Sequence, residues 1–400
     1  MTMRLQHDST ELAPVAVLAM AIVSGLTVAN VYFNQALLPT VADSFKLGIQ
    51  QVGWIATLSQ VGYALGILLI VPLGDSARPH ILVRVLLLCV AGALFAASLA
   101  SSFEFLALFS LLACMGTCVP QVLMPLVAGF TSVERRGRVI ATVQTGLVVG
   151  ILLSRTLAGW IASTWSWRAV YIAAMLAMLI SALCVPALLP KANDRSASIS
   201  YGALLRSLWH IFLREPALRL SCILGATLFA GFSAFWTIIA FKLGKPPYLL
   251  DLREIGLFAF WGAAGGLLTP VVGHLCDRLG TRRMSFAALT ISALGFALAL
   301  TLSVHYLALV LAANLISFGL QAGQISNQAR VFRLSAEGRS RINTVYMVLN
   351  FSGGALGSVI GGAAWATYGW TGICLFGLFC AAIAACALSL MDAFAPLDCR

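Results

Sequence analysis

Apolar residues in this chain fall in long blocks broken by short polar stretches, not in the alternating or three-and-four spacing of a water-soluble core. A helix needs about 20 predominantly apolar residues to cross ~30 Å of hydrocarbon. Twelve blocks meet that length, at 13–33, 52–73, 81–100, 105–130, 139–162, 169–189, 218–239, 255–275, 285–303, 306–325, 343–365 and 373–391. Lipid leaves a spanning chain only helices or a closed barrel, and blocks this long lack the alternation of a barrel strand. The pattern therefore predicts an all-α membrane protein with twelve transmembrane helices. The longest stretch without a span, 190–217, reads as a linker with a short surface helix near Leu204–Phe212, where apolar and basic residues alternate.

The text is also written twice. Asp75 and Asp277 each end an apolar block, 202 positions apart. Glu134, Arg136 and Arg138 return 203 positions later as Glu337, Arg339 and Arg341, and Gly150, Gly159 and Trp167 as Gly353, Gly362 and Trp370. Six spans per copy bring both copies in from the same side, so the repeat axis runs along the membrane normal. The expected organisation is a six-helix bundle over 1–189, the linker over 190–217 and a second six-helix bundle over 218–400.

Composition excludes a soluble fold: 60% of residues are hydrophobic, 10% are charged, and mean hydropathy is +0.95. The +11 net charge is a topology signal. With the N-terminus in the cytoplasm, nineteen of the 25 Lys and Arg lie on that side, five lie outside, and Arg155 falls within a span. This asymmetry places both termini in the cytoplasm and the chain in the inner membrane, with lipid rather than nucleic acid as its surroundings. The first apolar block is longer than a secretory signal core and lacks a small-residue cleavage site, so it reads as an uncleaved span. Ten Cys lie mostly inside spans and five His are scattered, without metal-ligand spacing; neither metal nor cofactor is expected. No embedded acid pair, Ser/His pair or nucleotide-binding loop appears, which argues against an enzyme or an ATP-driven pump.

Polar residues inside spans mark where a solute could pass. Span ten carries Asn314, Ser317, Gln321 and Gln324 on one helical face. Span four does likewise with Cys114, Thr117 or Cys118, and Gln121, beside Pro120 and Pro125, which should bend it. Span one offers Thr27, Asn30 and Asn34 near Tyr32 and Gln35, and span seven Ser233, Trp236 and Thr237. Burying an amide without a partner costs roughly 1–3 kcal/mol, so such faces need polar neighbours or water. Isolated cases are satisfied by helix–helix hydrogen bonds; the four-residue face of span ten predicts a wet cavity. Spans three, six, nine and twelve are nearly featureless and suit a lipid-facing position. Arg155 in span five allows two readings. It lies ~10 Å from the outer helix end, within reach for snorkelling to the surface. Alternatively it shares a cavity-facing side with Gln144, where it binds an anionic group or holds a polar gating network.

The loop after span eight reads Gly273-His274-Leu275-Cys276-Asp277-Arg278-Leu279-Gly280-Thr281-Arg282-Arg283. It resembles the G-x-L-a-D-R-x-G-x-R-R signature of the major facilitator superfamily. The matching place in the first half, Pro72-Leu73-Gly74-Asp75-Ser76-Ala77-Arg78, keeps the acid and reduces the basic tail to Arg78. The resemblance implies two six-helix bundles around a cavity lined by spans one, four, seven and ten. It further implies that Asp75 and Asp277 latch one conformation against Arg138 and Arg341 at the starts of spans five and eleven, where the helix dipole also favours an acid. Arg78, Arg278, Gly280, Arg282 and Arg283 belong to the same gating loops. Span five, from Gly146 and Gly150 through Ser154-Arg155 to Gly159, looks like the G-x-x-x-G-P-x-x-G-G element of the family's proton-driven exporters, with Ser154-Arg155 where Gly-Pro is usual.

The expected function is thus secondary transport of a small organic solute by alternating access, outward in exchange for protons. The candidate substrate residues are Asn30, Asn34, Gln121, Gln144, Arg155, Trp236, Asn314, Ser317 and Gln321. One alternative is proton-coupled import of a small organic anion held by Arg155. Another is a non-transporting receptor, which would want a soluble output domain where only a linker of about 28 residues stands. The latch predicts that Asp277→Asn inserts normally but turns over more slowly. Wild-type transport rates at equal membrane abundance would remove it.

Overall fold

A computed structural model of the chain describes residues 13–75, 78–131, 133–189, 201–265, 269–334 and 339–394. Among the described residues every regular element is a helix. Ten helical stretches are long and apolar enough to cross a membrane; they hold eleven of the twelve expected spans, and span eight, which is broken into two pieces, is not among them. The last stretch, Arg341–Leu390, holds spans eleven and twelve, separated at Gly369, whose φ of 60° stops the helix. Span eight begins as Leu252–Ala263, resumes within Thr269–Thr301, and is divided from span nine at Gly280 (φ 81°). Both breaks use glycine because a side chain rarely adopts positive φ.

Some spans depart from the expected boundaries. Span one does not end near residue 33. The helix Pro14–Tyr32 is followed at once by Asn34–Phe45, with Pro39 inside it, so the span runs a further three turns. Span four is divided into Phe103–Gly116 and Val119–Gly129, and Pro120 sits in the first turn of the second piece, where its missing N–H costs nothing. The linker helix is longer than its sequence pattern suggested, Tyr201–Arg214.

The helices before the linker pack mainly with one another, as do those after it, and the same contacts recur in each group. Span five (Val133–Thr164) lies against span one with Gly146 on Ala21 and Gly150 on Gly25. Span eleven lies against span seven (Pro216–Leu243) with Gly353 on Ala226 and Gly357 on Ala230. The two groups then meet along two equivalent seams. Gly159 of span five faces Leu252 and Gly256 of span eight, and Gly362 of span eleven faces Gln50 at the start of span two. Repetition in the sequence is thus repetition in packing.

Exposure sorts the spans only in part, since the apolar window of span five is as little buried as that of span six. Phe95, Leu183, Leu294 and Phe379, on spans three, six, nine and twelve, are all more than half exposed. The apolar window of span seven is 83% buried, against 33% for span six. The linker helix ties the two groups at one end of the bundle, called here the linker end. Leu205, Leu208, Ile211 and Phe212 pack against Leu218 and Tyr346, while Trp209 and Leu213 stay exposed. Tyr201 donates to the Leu69 carbonyl (2.7 Å) and Arg341 to Ser207 (3.5 Å).

A Cβ at Gly150 would meet Gly25 backbone, which has no flexible tip to give way. Gly150→Leu should therefore lower the thermal midpoint of the purified protein and abolish transport, overpacking costing about 1–3 kcal/mol. Gly202→Leu, with open space at its Cβ position, should leave both unchanged.

Candidate functional site

Where the repeats meet, one end of the bundle is sealed. Thr156 donates to the Gly256 carbonyl across the seam of spans five and eight (2.9 Å). Across the other seam Gln60 donates to Ser233 (2.5 Å) and Ser358 (3.2 Å), and Ser358 shares hydrogen bonds with Ser233 (2.7 Å) and Thr237 (3.1 Å). In keeping with this seal, span one is buried continuously over 30–38 and span seven over 228–241.

On the linker side of the seal lies a cavity of about 50 Å³. Its wall comprises Tyr32 of span one, Val148, Ile151, Leu152 and Arg155 of span five, Phe232 of span seven, Ala263 of span eight, and Ser317, Leu320, Gln321 and Gln324 of span ten. The same face of span five continues toward the linker end through Gln144, which is exposed. The cavity therefore opens toward the linker end.

Arg155 forms part of the cavity roof and is only 2% exposed. Its Nε and Nη2 both donate to Gln35 Oε1, at 3.0 and 2.7 Å. The guanidinium carbon lies 4.4 Å from the Trp236 ring centroid, 5.1 Å from Tyr32 and 6.0 Å from Phe232. Aromatic faces offset part of the desolvation of a cation, about 2 kcal/mol where water is excluded. Nη1 remains buried without a hydrogen-bond partner, and so does Nε1 of the Trp236 indole stacked on it. Among the described residues no carboxylate faces this charge. The snorkelling reading fails: the side chain turns inward, held by Gln35 and the three rings.

Several sequence candidates converge here. Arg155, Ser317 and Gln321 line the cavity, Trp236 backs it, and Gln144 is exposed further along the same face of span five. Others are placed elsewhere. Asn30 donates to the Leu26 and Thr27 carbonyls one turn back and to Met178 Sδ (3.7 Å), within the first bundle. Asn34 donates to Ser59 (2.6 Å), and Gln121 pairs with the Tyr63 hydroxyl. Asn314 binds spans ten and eight together, donating to the Trp261 carbonyl (2.6 Å) and accepting from Gly265 N–H (2.8 Å). These amides serve helix–helix contacts because carbonyls freed at bends, or a neighbouring serine, lie within reach. Sequence reading picked the more polar face of span one, whereas the face holding Tyr32 and Gln35 meets Arg155. Only the three-dimensional pairing with span five marks Gln35 out.

Comparison with known proteins agrees with this architecture. The family model described as Major Facilitator Superfamily matches residues 20–249 and 239–396. The chain belongs to the major facilitator superfamily. It is 36% identical over 368 residues to a protein named Uncharacterized transporter YgaY of Escherichia coli O157:H7, covering 92% of this chain and 93% of that one. It is 32% identical over 355 residues to one named Probable transporter SCO4007 of Streptomyces coelicolor, covering 88% and 82%. The solved structure of a peptide transporter, POT, in complex with alafosfalin superimposes with a TM-score of 0.77 at 13% identity, covering 96% of this chain and 95% of that one. That of the nucleoside transporter NupG gives 0.73 at 15%, covering 94% and 99%. At such identities the solved structures show the fold alone. The chain is accordingly a multi-pass membrane transporter of the major facilitator fold.

The superfamily's signature loops lie at the linker end. Gly280 makes the turn of the second loop, where Arg278, Arg282 and Arg283 are exposed, and Arg78 is exposed in the first loop. The side chains of Asp75, Arg138 and Asp277 lie outside the described residues. Among the described residues no cluster of His, Cys, Asp or Glu has metal-binding geometry.

The one-sided cavity makes a labelling prediction. Gln321→Cys, in a variant with the exposed Cys89, Cys184 and Cys386, together with Cys399, replaced by Ser, should react with a membrane-impermeant thiol reagent supplied at the linker end. Supplied at the sealed end, the reagent should not reach it; equal labelling from both ends would show that the seal leaks.

Proposed function

We propose that the chain is a secondary carrier that exports a small organic solute from the cytoplasm in exchange for protons. The linker end and both termini face the cytoplasm, and the two repeats are the bodies that rock. The observation that carries this reading is the cavity itself: it lies where the repeats meet, sealed at one end by contacts from both and open at the other. That is the arrangement expected of one limb of an alternating-access cycle. Exposed Arg78, Arg278, Arg282 and Arg283 at the linker end match the positive-inside rule.

Outward transport is supported by span five, where Gly146 and Gly150 pack on span one as the exporter-like sequence element suggests. The solute-binding set in this reading is Arg155, Trp236, Ser317, Gln321, Gln324 and Gln144. Asn30, Asn34, Gln121 and Asn314 are left to hold helices together. The signature loops, with Asp75 and Asp277 set against Arg138 and Arg341, act as the latch. A second reading, proton-coupled import of a small organic anion, is favoured by the unpaired Arg155 cation.

Purified protein in liposomes, given a panel of solutes under an imposed pH gradient, tests both readings. Export predicts solute accumulation in inside-out vesicles that collapses with the gradient. Accumulation of opposite sign selects import, flux indifferent to the gradient removes proton coupling, and no carrier-dependent flux of any solute overturns the transport reading.

A further inference from the structure

The two seams between the repeats are equivalent in backbone but not in chemistry. Arg155 and Ser358 occupy matching positions 203 apart, and so do Ala263 and Gln60. At one seam the Gln60 amide reaches across to Ser358 and Ser233, and its oxygen touches Gly354, so the space is filled by protein. At the other, Ala263 stands where the amide would be, and the volume beside Arg155 belongs to the cavity. The residue facing this gap is a cation, and the side chain across from it is no larger than a methyl group.

We infer that this gap is the head-group site for a small organic monoanion, a carboxylate on a flat aromatic body. The inference rests on the carrier reading above and names its substrate class. The buried guanidinium keeps Nη1 without an acceptor while Gln35 takes the other two nitrogens. The Trp236 N–H, on the ring stacked against it, also lacks an acceptor. A carboxylate supplies acceptor atoms and the missing negative charge together, and charge-assisted pairing with Arg is strong for that reason. A single guanidinium, with no second cation on the cavity wall among the described residues, sets the anion's charge at one. Tyr32, Phe232, Val148, Ile151 and Leu320 offer an apolar and aromatic wall for the body, and Gln321 and Gln324 face the open side.

Isothermal titration on the purified full chain tests this with benzoate, phenylacetate and cinnamate, each beside its primary amide, which keeps shape and loses charge. At least one acid should bind about tenfold or more tightly than its amide, as expected for a charge-assisted pair. Arg155→Gln should erase that preference. So should Ala263→Gln, which keeps the cation but refills the gap as Gln60 does across the other seam; monodispersity on size exclusion checks folding of both. Acids and amides bound alike, no acid bound by the wild type, or preference retained in both folded variants would each overturn the anion site. Acid preference with no liposome flux of any solute would uphold the site and sink the carrier. Gradient-driven flux of a neutral or cationic solute without acid preference would do the reverse.

Discussion

Helices in a bilayer gain little by burying apolar side chains against each other, since lipid tails are equally apolar. What holds this fold is the approach of backbone to backbone at small residues. Gly146 and Gly150 bring span five onto span one, and Gly353 and Gly357 bring span eleven onto span seven. Those contacts set the position of span five, hence of Arg155, and Gly159 then sets how closely the second repeat can approach. The seal and the cavity beneath it both follow from this spacing.

Much of that was legible in the sequence, because the relevant signals are local or periodic. Block length gave the spans, the 203-residue offset gave the pairing of seams, and the absence of polar residues in spans three, six, nine and twelve gave their outward position. The candidate site was legible where a polar residue had no local use, as at Arg155 and along Ser317 and Gln321. It was not legible where an amide could satisfy itself nearby. Asn30 and Asn314 look like cavity residues in a helical projection, yet carbonyls of the same or the adjacent helix take up their N–H groups. Gln35 was passed over for the opposite reason, its partner being 120 positions away.

Duplication also explains why the seal is uneven. One seam is closed by neutral hydroxyls and an amide around Ser358, groups that exchange one hydrogen bond for another at small cost. The other is closed by a charged group clamped among aromatic rings and Gln35, with Thr156 bonded to the facing backbone. Parting the second seam exposes a cation that the first seam does not have. The duplicated scaffold thus carries two hinges of like shape and unlike polarity.

The helix Tyr201–Arg214 follows the second repeat through its apolar face, but its Tyr201 hydroxyl is hooked to the first repeat at the Leu69 carbonyl. Among the described residues its hold on the first repeat is the slighter one, made by that hydrogen bond and by packing with Leu68. In the rocking cycle proposed above it would act as a ratchet tooth: each swing would lift the phenol off its perch, and each return would seat it again.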